Sequence, residues 1–523
     1  MNIFPVLSRA GPQPGSTGAA YGERLTLCTA ALLVFATFAI VLICDLAFIL
    51  GFALTPVLAR FALLVGPGAA LAAVYRIDRA MVLPAIVATG IVVLLSMLGT
   101  RLQYDATADG IYHLSAIDAL IRGWNPVWHS YVEYRRPGEE MEFIEVYGKA
   151  GWVLTAAQMQ AGLGAEAAKC SALYLPAAAL LALYGIGRRL GLATGWALAI
   201  ALAAAFNPVV LQEFWTRMND GQMTSLVAIF VAGQLLWTLR RDTIGLALAL
   251  PALALALNFK ISGAPIFVVL CAFAVFAEFR VRGWRPGIHT AGLLMGAGLF
   301  AIVVIGASPY VRAPLTGIVT QDVPLTQQGW AGMMEGDWPN GFEVMPGWER
   351  WTMSFFAAGD YVEVRAKVPF TFTRKELLNA GDAEVMVGGL GPLFSGAMLL
   401  AVALAAWGLV ATRSRPRDPA RAALGIMAVG IAAASILMPQ SWYFRYVPHL
   451  WLVPIALALA AGIDGGWRRA GTAAVLAVML LNSALVGMSS LIEADLIPAR
   501  ALWARSYFEP LPSEIPQRDK SAT

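Results

Sequence analysis

Acidic side chains cluster in a polar stretch of an otherwise apolar chain, YDATADGIYHLSAIDALIRGWNP at 104–126. Asp105 and Asp109 are four residues apart, so their side chains would share one face of a helix. A carboxylate within reach of a bound hydroxyl group can act as a general base and make that hydroxyl a nucleophile. Residue type and spacing therefore make Asp105 and Asp109 candidate catalytic residues.

The same stretch also has structural interpretations. Asp109 precedes Gly110 and could cap a helix that begins there, and loop acids are often solvated. Carboxylates at a membrane boundary are costly unless they are paired or used in function. The residues alone leave both catalysis and a structural role open, and they leave the choice between the two aspartates open as well.

The composition is typical of multi-pass membrane proteins. Of 523 residues, 59% are hydrophobic and 13% charged, and the mean hydropathy is +0.67. Soluble domains carry about 25% charged residues. The small net charge of +4 gives no indication of nucleic acid as a partner. The four cysteines lack CxxC spacing, which argues against a disulfide framework or a zinc site.

Apolar runs long enough to cross a bilayer recur along the chain. We predict an all-α integral membrane protein whose transmembrane domain, 25–488, follows an N-terminal segment, 1–24, and precedes a C-terminal tail, 489–523. Two long polar segments, 100–168 and 308–385, are candidates to carry function because they lie on the same face of the bundle. About 13 spans are expected near 25–50, 56–75, 81–99, 169–187, 192–211, 222–239, 243–258, 261–279, 288–307, 386–409, 422–438, 447–462 and 471–488.

Arginine clusters predict how the chain is oriented. With alternating spans, the arginines of the short loops all fall on one face, which the positive-inside rule makes cytoplasmic. The N-terminal segment is then cytoplasmic, and both long loops and the tail are outside. The Ala-rich composition fits a bacterial inner membrane, so we expect the long loops to face the periplasm. The clustered residues are Arg76, Arg79, Arg188, Arg189, Arg240, Arg241, Arg280, Arg282, Arg285, Arg413, Arg415, Arg417, Arg421, Arg468 and Arg469.

A short amphipathic helix should position the acidic stretch. Apolar residues recur with a helical period from 111 to 122, which predicts a helix lying at the membrane interface. Gly123 would end this helix, and Pro126 would prevent its continuation. The apolar residues are Ile111, Leu114, Ile117, Leu120 and Ile121.

The stretch also resembles a known family. DGIYH followed by AIDALIRGWNP resembles the first outer loop of multi-pass GT-C glycosyltransferases of bacterial envelope loci. Five further segments are similar, in order along the chain: VYGKAGW (146–152), RMNDGQM (217–223), NFKISG (258–263), SPYVRAP (308–314) and RYVPHLWL (445–452). Two features depart from the family. Gly148 stands where proline is usual, and Asp109 and Asp105 have two and six residues before Tyr-His, where three are usual.

The resemblance implies a GT-C fold and a sugar donor carried on a polyprenyl phosphate. In that mechanism a loop aspartate deprotonates an acceptor hydroxyl. The hydroxyl then attacks the anomeric carbon with inversion, and the lipid phosphate leaves. It implies Asp109 or Asp105 as the base, of which Asp109 is favoured. The acceptor would be an envelope glycan, a lipid or a protein.

Three cations are candidates to bind the donor phosphate: Arg445, Lys260 and Arg217. Arg445 lies just outside a predicted span, and arginine suits phosphate. Lys260 lies between two apolar runs, where an unpaired ammonium would be costly. Ion pairing with carboxylates of other loops, or snorkelling to the interface, would explain the same cations without a ligand.

Further residues are candidates for substrate binding: Tyr112, His113, Trp124, Lys149 and Asp220. His113 could orient the base or bind phosphate, but a lone histidine is more often structural. Asp220 could hold a sugar hydroxyl, orient a lysine or cap the next span. No ligand spacing predicts a metal site, and a divalent cation held by the acids stays an open option. The aromatic residues of 308–385 suit sugar stacking or the membrane interface.

Three other classes compete with the glycosyltransferase interpretation. A multi-pass transporter would need ionisable residues inside spans, and Asp45 is nearly the only acid well inside one. An O-antigen ligase or polymerase-type enzyme usually rests on an arginine and a histidine in the large loop, and 308–385 contains no histidine. An assembly scaffold would leave the clustered aspartates and cations unexplained.

Overall fold

A computed structural model describes residues 17–102, 105, 107–136, 141–315, 339–411, 418–438, 440–463 and 465–496. Within these residues the chain is helical, with two isolated β-bridges and no strand. This confirms the predicted all-α class. Most of the predicted N-terminal segment and tail, together with Trp330 and Trp338 of the second loop, lie outside the described residues.

Long apolar helices alternate with shorter ones along the chain. The helix α12 continues into two π-helical turns, Ala301–Ile305 and Ala307–Arg312. The helices are α1 Thr17–Ile49, α2 Pro56–Asp78, α3 Val82–Thr100, α4 Ala108–Ile121, α5 Ala150–Gln160, α6 Ser171–Arg189, α7 Thr194–Ala205, α8 Pro208–Gln212, α9 Asp220–Arg240, α10 Thr243–Phe259, α11 Gly263–Arg282, α12 Trp284–Phe300, α13 Ala313–Leu315, α14 Gly347–Phe355, α15 Arg374–Asn379, α16 Phe394–Ala411, α17 Pro419–Ile436, α18 Leu452–Gly462 and α19 Trp467–Leu496.

Nine stretches of the described chain are long and apolar enough to cross a membrane. One of them, Pro56–Thr100, has 45 residues and holds both α2 and α3, so it covers two predicted spans. Three other predicted spans coincide with shorter apolar helices, Thr194–Ala205, Thr243–Phe259 and Pro448–Gly462. Each predicted span therefore falls on a helix, and the count of about 13 crossings stays a prediction.

A polar residue separates α2 from α3. Asp78 has an extended backbone with φ −158° and accepts a hydrogen bond from the Ala80 N–H at 3.1 Å. Arg24, near the start of α1, donates to Asp78 at 2.5 Å. At the far end of α3, the indole of Trp215 donates to the Gly99 carbonyl at 3.2 Å. An extended residue thus interrupts the 45-residue apolar stretch at the end of α2.

Arginines gather at one end of the bundle, which we call the arginine-rich face. Side-chain contacts tie the helix ends there to one another, so that α1, α2, α6, α9, α10 and α11 all have an end on this face. This agrees with the shared face predicted for the short loops at these helix ends, whereas Arg413, Arg415 and Arg417 lie outside the described residues. The contacts are Arg24 with Asp78, Arg189 with Glu23 at 2.9 Å and Asp242 at 2.5 Å, and Arg282 with the Thr238 carbonyl at 2.8 Å.

The predicted amphipathic helix is present as α4. It ends one residue before Arg122, and Gly123 follows with φ +101°, a conformation that favours glycine. Its apolar face packs against protein, since Ile117 and Leu120 are buried. The N-cap is Thr107, so Asp109 lies in the first turn and Asp105 precedes the helix. The expectations that Asp109 caps the helix and that both aspartates share one helix face were therefore wrong.

Candidate active site

Segments far apart in sequence meet at the end of the bundle opposite the arginine-rich face. A Cβ added to Gly148 would lie 2.5 Å from the Asn258 carbonyl oxygen. A Cβ added to Gly151 would lie 2.6 Å from Oδ1 of Asn219, and Nδ2 of Asn219 donates to the Phe259 carbonyl at 3.2 Å. Segments 146–152, 217–223 and 258–263 therefore pack directly on one another.

Two more contacts bring the segment 308–314 to the same place. The Tyr310 hydroxyl donates to the Leu257 carbonyl at 2.5 Å. Arg312 pairs with Glu145 at 2.8 Å between Nη1 and Oε2. The first and second polar segments are thus joined by a salt bridge next to the end of α10.

An ion pair between distant parts of the chain forms the centre of this region. Nη2 of Arg445 donates to Oδ2 of Asp109 at 2.6 Å. The Asp109 side chain is 33% exposed, whereas that of Arg445 is 8% exposed. The carboxylate of Asp109 is consequently the accessible member of the pair, and the guanidinium lies behind it.

A second ion pair lies beside the first. Nζ of Lys260 lies 2.5 Å from Oδ1 of Asp220, and both side chains are buried. Nε of Arg445 lies 4.0 Å from Oδ2 of Asp220. Two carboxylates and two cations thus form one cluster, which we call the charged cluster: Asp109, Asp220, Lys260 and Arg445. Buried charges are tolerated when they are paired in this way.

Several neighbours hold Arg445 in place. A 3-10 turn, Phe444–Tyr446, presents the residue, and Nη1 donates to the Ala383 carbonyl at 3.2 Å. The guanidinium lies 4.9 Å from the ring centre of Tyr443 and 5.7 Å from that of Tyr446. Nζ of Lys260 lies 4.1 Å from the Tyr446 ring centre. Aromatic faces therefore stabilise both cations of the cluster.

The N-terminus of α4 fixes the position of Asp109. The Thr107 hydroxyl accepts from the Gly110 N–H at 3.1 Å and donates to Oδ1 of Asp105 at 2.7 Å. Burial acts to raise the pKa of Asp109, but Arg445, His113 and Lys260 together hold the pKa below its ordinary value. Asp109 is thus an ionised carboxylate at neutral pH.

Asp105 belongs to a different network from Asp109. Its side chain is fully buried, and Oδ2 accepts from the Arg217 N–H at 2.8 Å and from Nη1 of Arg217 at 3.3 Å. Arg217 also pairs with Glu166 at 2.6 Å, and Glu166 pairs with Lys169. The structure thus brings Asp105 and Arg217 together, apart from the Asp109–Arg445 pair, in a network that joins three segments of the chain.

This network predicts that Asp105→Asn destabilises the protein. The change leaves the buried Arg217 with one carboxylate partner fewer, and breaking a buried ion pair costs about 3–5 kcal/mol. We expect a clearly lower melting temperature in thermal unfolding of the purified protein. Asp118→Asn is the matched control and should melt close to the wild type, because its partners Arg122 and Arg136 are partly exposed. Equal melting of Asp105→Asn and wild type would contradict this role.

Tyr112 and His113 lie in an aromatic cluster beside Asp109. Trp152 donates from its indole N–H to Nδ1 of His113 at 2.6 Å, and burial lowers the pKa of His113 to about 3. His113 is therefore neutral, with Nδ1 as an acceptor. The Tyr112 hydroxyl lies 3.4 Å from that of Tyr147. These rings form one wall next to the charged cluster.

Lys149 and Trp124 are used within the protein. Nζ of Lys149 donates to the carbonyls of Ile144, Glu145 and Tyr147 at 2.6–2.9 Å, and burial lowers the pKa of Lys149 to about 7. Trp124 is fully buried, and its indole N–H donates to the His129 carbonyl at 3.0 Å. Both side chains stabilise the conformation of the first polar segment. The structure does not bring them into the charged cluster.

Three residues around the site have no role predicted from the sequence. Glu145 is buried and pairs with Arg312. Glu213 is also buried, and its Oε2 accepts from the Gly221 N–H at 2.7 Å beside Asp220. Ala383 contributes only a carbonyl, which no sequence pattern reveals. Glu145 and Glu213 could have been identified in the sequence as acidic residues that have apolar neighbours.

The contact between Gly148 and Asn258 predicts a packing defect in Gly148→Ala. The added methyl group would meet backbone atoms at 2.5 Å, and such overpacking costs about 1–3 kcal/mol. Because Asn258 is two residues from Lys260, we expect a lower melting temperature and reduced activity. Gly164→Ala is the matched control, since a Cβ there meets nothing within 4 Å. Identical melting of the two variants would refute the contact.

Among the residues that the structure describes, no group of three or more His, Cys, Asp or Glu side chains is placed to hold a metal ion. Comparison with protein-family models, with curated proteins and with solved structures gives no match for this chain. The fold and the site define the class: an all-α chain with the helices of a multi-pass membrane protein. Its charged cluster lies at the end opposite the arginine-rich face.

Proposed function

We propose that the chain is a membrane glycosyltransferase that transfers a sugar from a polyprenyl-phosphate donor to an envelope glycan, lipid or protein. The observation that carries the proposal is the Asp109–Arg445 pair at 2.6 Å, with the Lys260–Asp220 pair beside it. It offers an accessible carboxylate for a hydroxyl group next to two cations suited to a phosphate. The separate segments between 105 and 452 that resemble GT-C enzymes pack together around the charged cluster. The resemblance therefore supports the same assignment.

The chemical step is a single displacement at the anomeric carbon. The carboxylate of Asp109 accepts the proton of the acceptor hydroxyl as the new C–O bond forms. The bond between the anomeric carbon and the phosphate oxygen breaks with both electrons going to that oxygen. The departing polyprenyl phosphate gains one negative charge, which Arg445 and Lys260 stabilise most strongly as it develops. The configuration at the sugar is inverted.

Arg445 has two partners in this proposal, at different times. Without donor it neutralises Asp109, and with donor its guanidinium binds the phosphate. Exchange of partners frees the Asp109 carboxylate for the acceptor hydroxyl. Asp220 keeps Lys260 in place throughout, because their pair is buried. Binding of the donor thus prepares the base.

Sidedness follows from the arginine-rich face. By the positive-inside rule this face is cytoplasmic, and the charged cluster at the opposite end then faces the periplasm of a bacterial inner membrane. The outer segments 100–168 and 308–385 would enclose the acceptor, and the lipid tail of the donor would remain in the bilayer.

Radiolabelled sugar transfer tests the proposed class. Purified protein is incubated with a panel of polyprenyl-phosphate sugars and an acceptor-rich envelope extract. We expect label to move from one donor into acceptor, with release of an equal amount of polyprenyl phosphate. No transfer from any donor by folded protein would favour a transporter, an O-antigen ligase-type enzyme or a scaffold.

The exchange of partners predicts different pH dependences for kcat/KM and kcat. In the free enzyme Arg445 holds the pKa of Asp109 below its ordinary value, so kcat/KM should fall only below about pH 4. In the donor complex the phosphate neutralises Arg445, and burial then raises the pKa of Asp109. The acid limb of kcat should therefore lie at higher pH than that of kcat/KM. Coincident acid limbs would argue against the exchange.

A further inference from the structure

An apolar cavity of about 110 Å³ opens between α6, α7, α9, α17 and α18. All of its lining side chains are apolar. Along α9 it extends from Ala228 to Leu239, which is roughly 16 Å at the helical rise per residue. Leu190, Leu239 and Ala420 line its end nearest the arginine-rich face. The cavity therefore has the shape for a single hydrocarbon chain entering from that face.

Two adjacent arginine pairs end the helices α6 and α9 that form this cavity. In each pair, one arginine is neutralised by acids: Arg189 contacts Glu23 and Asp242, and Arg241 pairs with Glu278. The contact between Arg189 and Asp242 also holds the ends of α6 and α9 together. The other member of each pair, Arg188 or Arg240, has no carboxylate partner among the described residues.

Two guanidinium charges at this end of the helices, those of Arg188 and Arg240, are therefore not neutralised by an acid of the described chain. The Nε atoms of Arg188 and Arg240 are buried and have no hydrogen-bond partner in the described chain. Arg188 uses Nη1 to donate to the carbonyl of Leu192, which itself lines the cavity. A buried guanidinium N–H without an acceptor is costly. An anion bound at these two helix ends, which the contact between Arg189 and Asp242 holds together, would neutralise the charge of both guanidinium groups.

We propose that this cavity and the Arg188–Arg240 pair form a binding site for one acidic phospholipid from the adjoining leaflet. One acyl chain would lie along α9 in the cavity, and the phosphate would accept hydrogen bonds from the two guanidinium groups. Basic pockets between membrane helices recognise lipid head groups in this way. The site is separate from the charged cluster, and it does not depend on the proposed transferase activity.

Native mass spectrometry of the delipidated full-length protein tests the site, with phosphatidylglycerol and phosphatidylcholine as probes. We expect one phosphatidylglycerol to bind more tightly than phosphatidylcholine. Arg188→Gln with Arg240→Gln should weaken phosphatidylglycerol binding by roughly thirtyfold. Phosphatidylcholine binding should weaken less, because the choline cation already neutralises its phosphate. Arg76→Gln with Arg285→Gln is the control, because it removes two exposed arginines elsewhere on the chain.

The chain-binding part of the site has its own variant. Ala232→Leu places extra side-chain atoms in the cavity while leaving every arginine in place. It should weaken the binding of both lipids, because the larger side chain displaces the acyl chain. The melting temperature of the variant shows whether it is folded. Equal binding of the two lipids by wild type would overturn the proposal. Unchanged phosphatidylglycerol binding in the Arg188 and Arg240 variant, or equal losses in its control, would overturn it as well.

Discussion

Asp109→Asn is expected to lower kcat for sugar transfer by at least about a hundredfold, the contribution of a positioned general base. The amide keeps the size of the side chain but cannot accept the hydroxyl proton. Donor binding should be retained or slightly tighter, because Arg445 no longer has Asp109 as a competing partner. The measurement is steady-state transfer together with donor titration on the same preparation.

Asp118→Asn is the matched control for this change. Asp118 lies on the same helix, α4, and is paired with Arg122 at 2.9 Å and Arg136 at 3.2 Å. It therefore tests the loss of an ion-paired aspartate from α4 without touching the charged cluster. We expect transfer by Asp118→Asn within a few-fold of wild type. Comparable losses in both variants would indicate a defect of the helix and would remove Asp109 from the mechanism.

Arg445→Gln is expected to have the second large effect. The variant loses the charge that stabilises the departing phosphate, and loss of one such donor costs about 100- to 1000-fold in kcat. The KM for donor should also rise, because the ground-state phosphate loses the same partner. Without Arg445, burial raises the pKa of Asp109, so the acid limb of kcat/KM should move to higher pH.

Arg445→Lys separates charge from geometry at this position. A lysine keeps the charge but lacks the planar fork of arginine, so it cannot serve two oxygens in the same way. We expect partial recovery of donor KM and little recovery of kcat. Arg365→Gln is the control, since Arg365 is exposed and pairs only with Glu363 among the described residues. A kcat for Arg445→Gln equal to that of the control would exclude Arg445 from the chemical step.

Local patterns in the sequence were sufficient to predict the helices. Apolar runs of span length coincide with helices of the structure, and the periodic apolar residues from 111 to 121 form α4 with Gly123 just beyond it. Burial of apolar side chains and helical periodicity depend on near neighbours in the chain, which is why they are legible in sequence. The common face of the arginines was predictable for the same reason.

The pairing of charges was not predictable in this way. Arg445 and Asp109 are 336 residues apart, and Lys260 and Asp220 are 40 apart, so no spacing rule links them. Asp105 looked equivalent to Asp109 because four residues separate them. One cap residue, Thr107, places Asp109 inside the helix and leaves Asp105 outside it, where Arg217 binds it. Which cation meets which acid is decided by tertiary packing.

Lys149 illustrates a different limit. Lys149 was predicted to bind substrate, but its ammonium is satisfied by three backbone carbonyls within five residues. Carbonyl groups are present at every residue and carry no sequence signal. A cation can therefore be fully used by the backbone around it without any acid to indicate this.

The anomeric configuration of the product tests the central claim most directly. Wild-type protein is given a polyprenyl-phosphate sugar of known configuration, and the new glycosidic linkage is assigned by NMR while released polyprenyl phosphate is quantified. A single displacement with Asp109 as base predicts an inverted linkage, one polyprenyl phosphate per sugar transferred, and neither product from Asp109→Asn. A retained configuration, or transfer that persists in Asp109→Asn, would contradict the account.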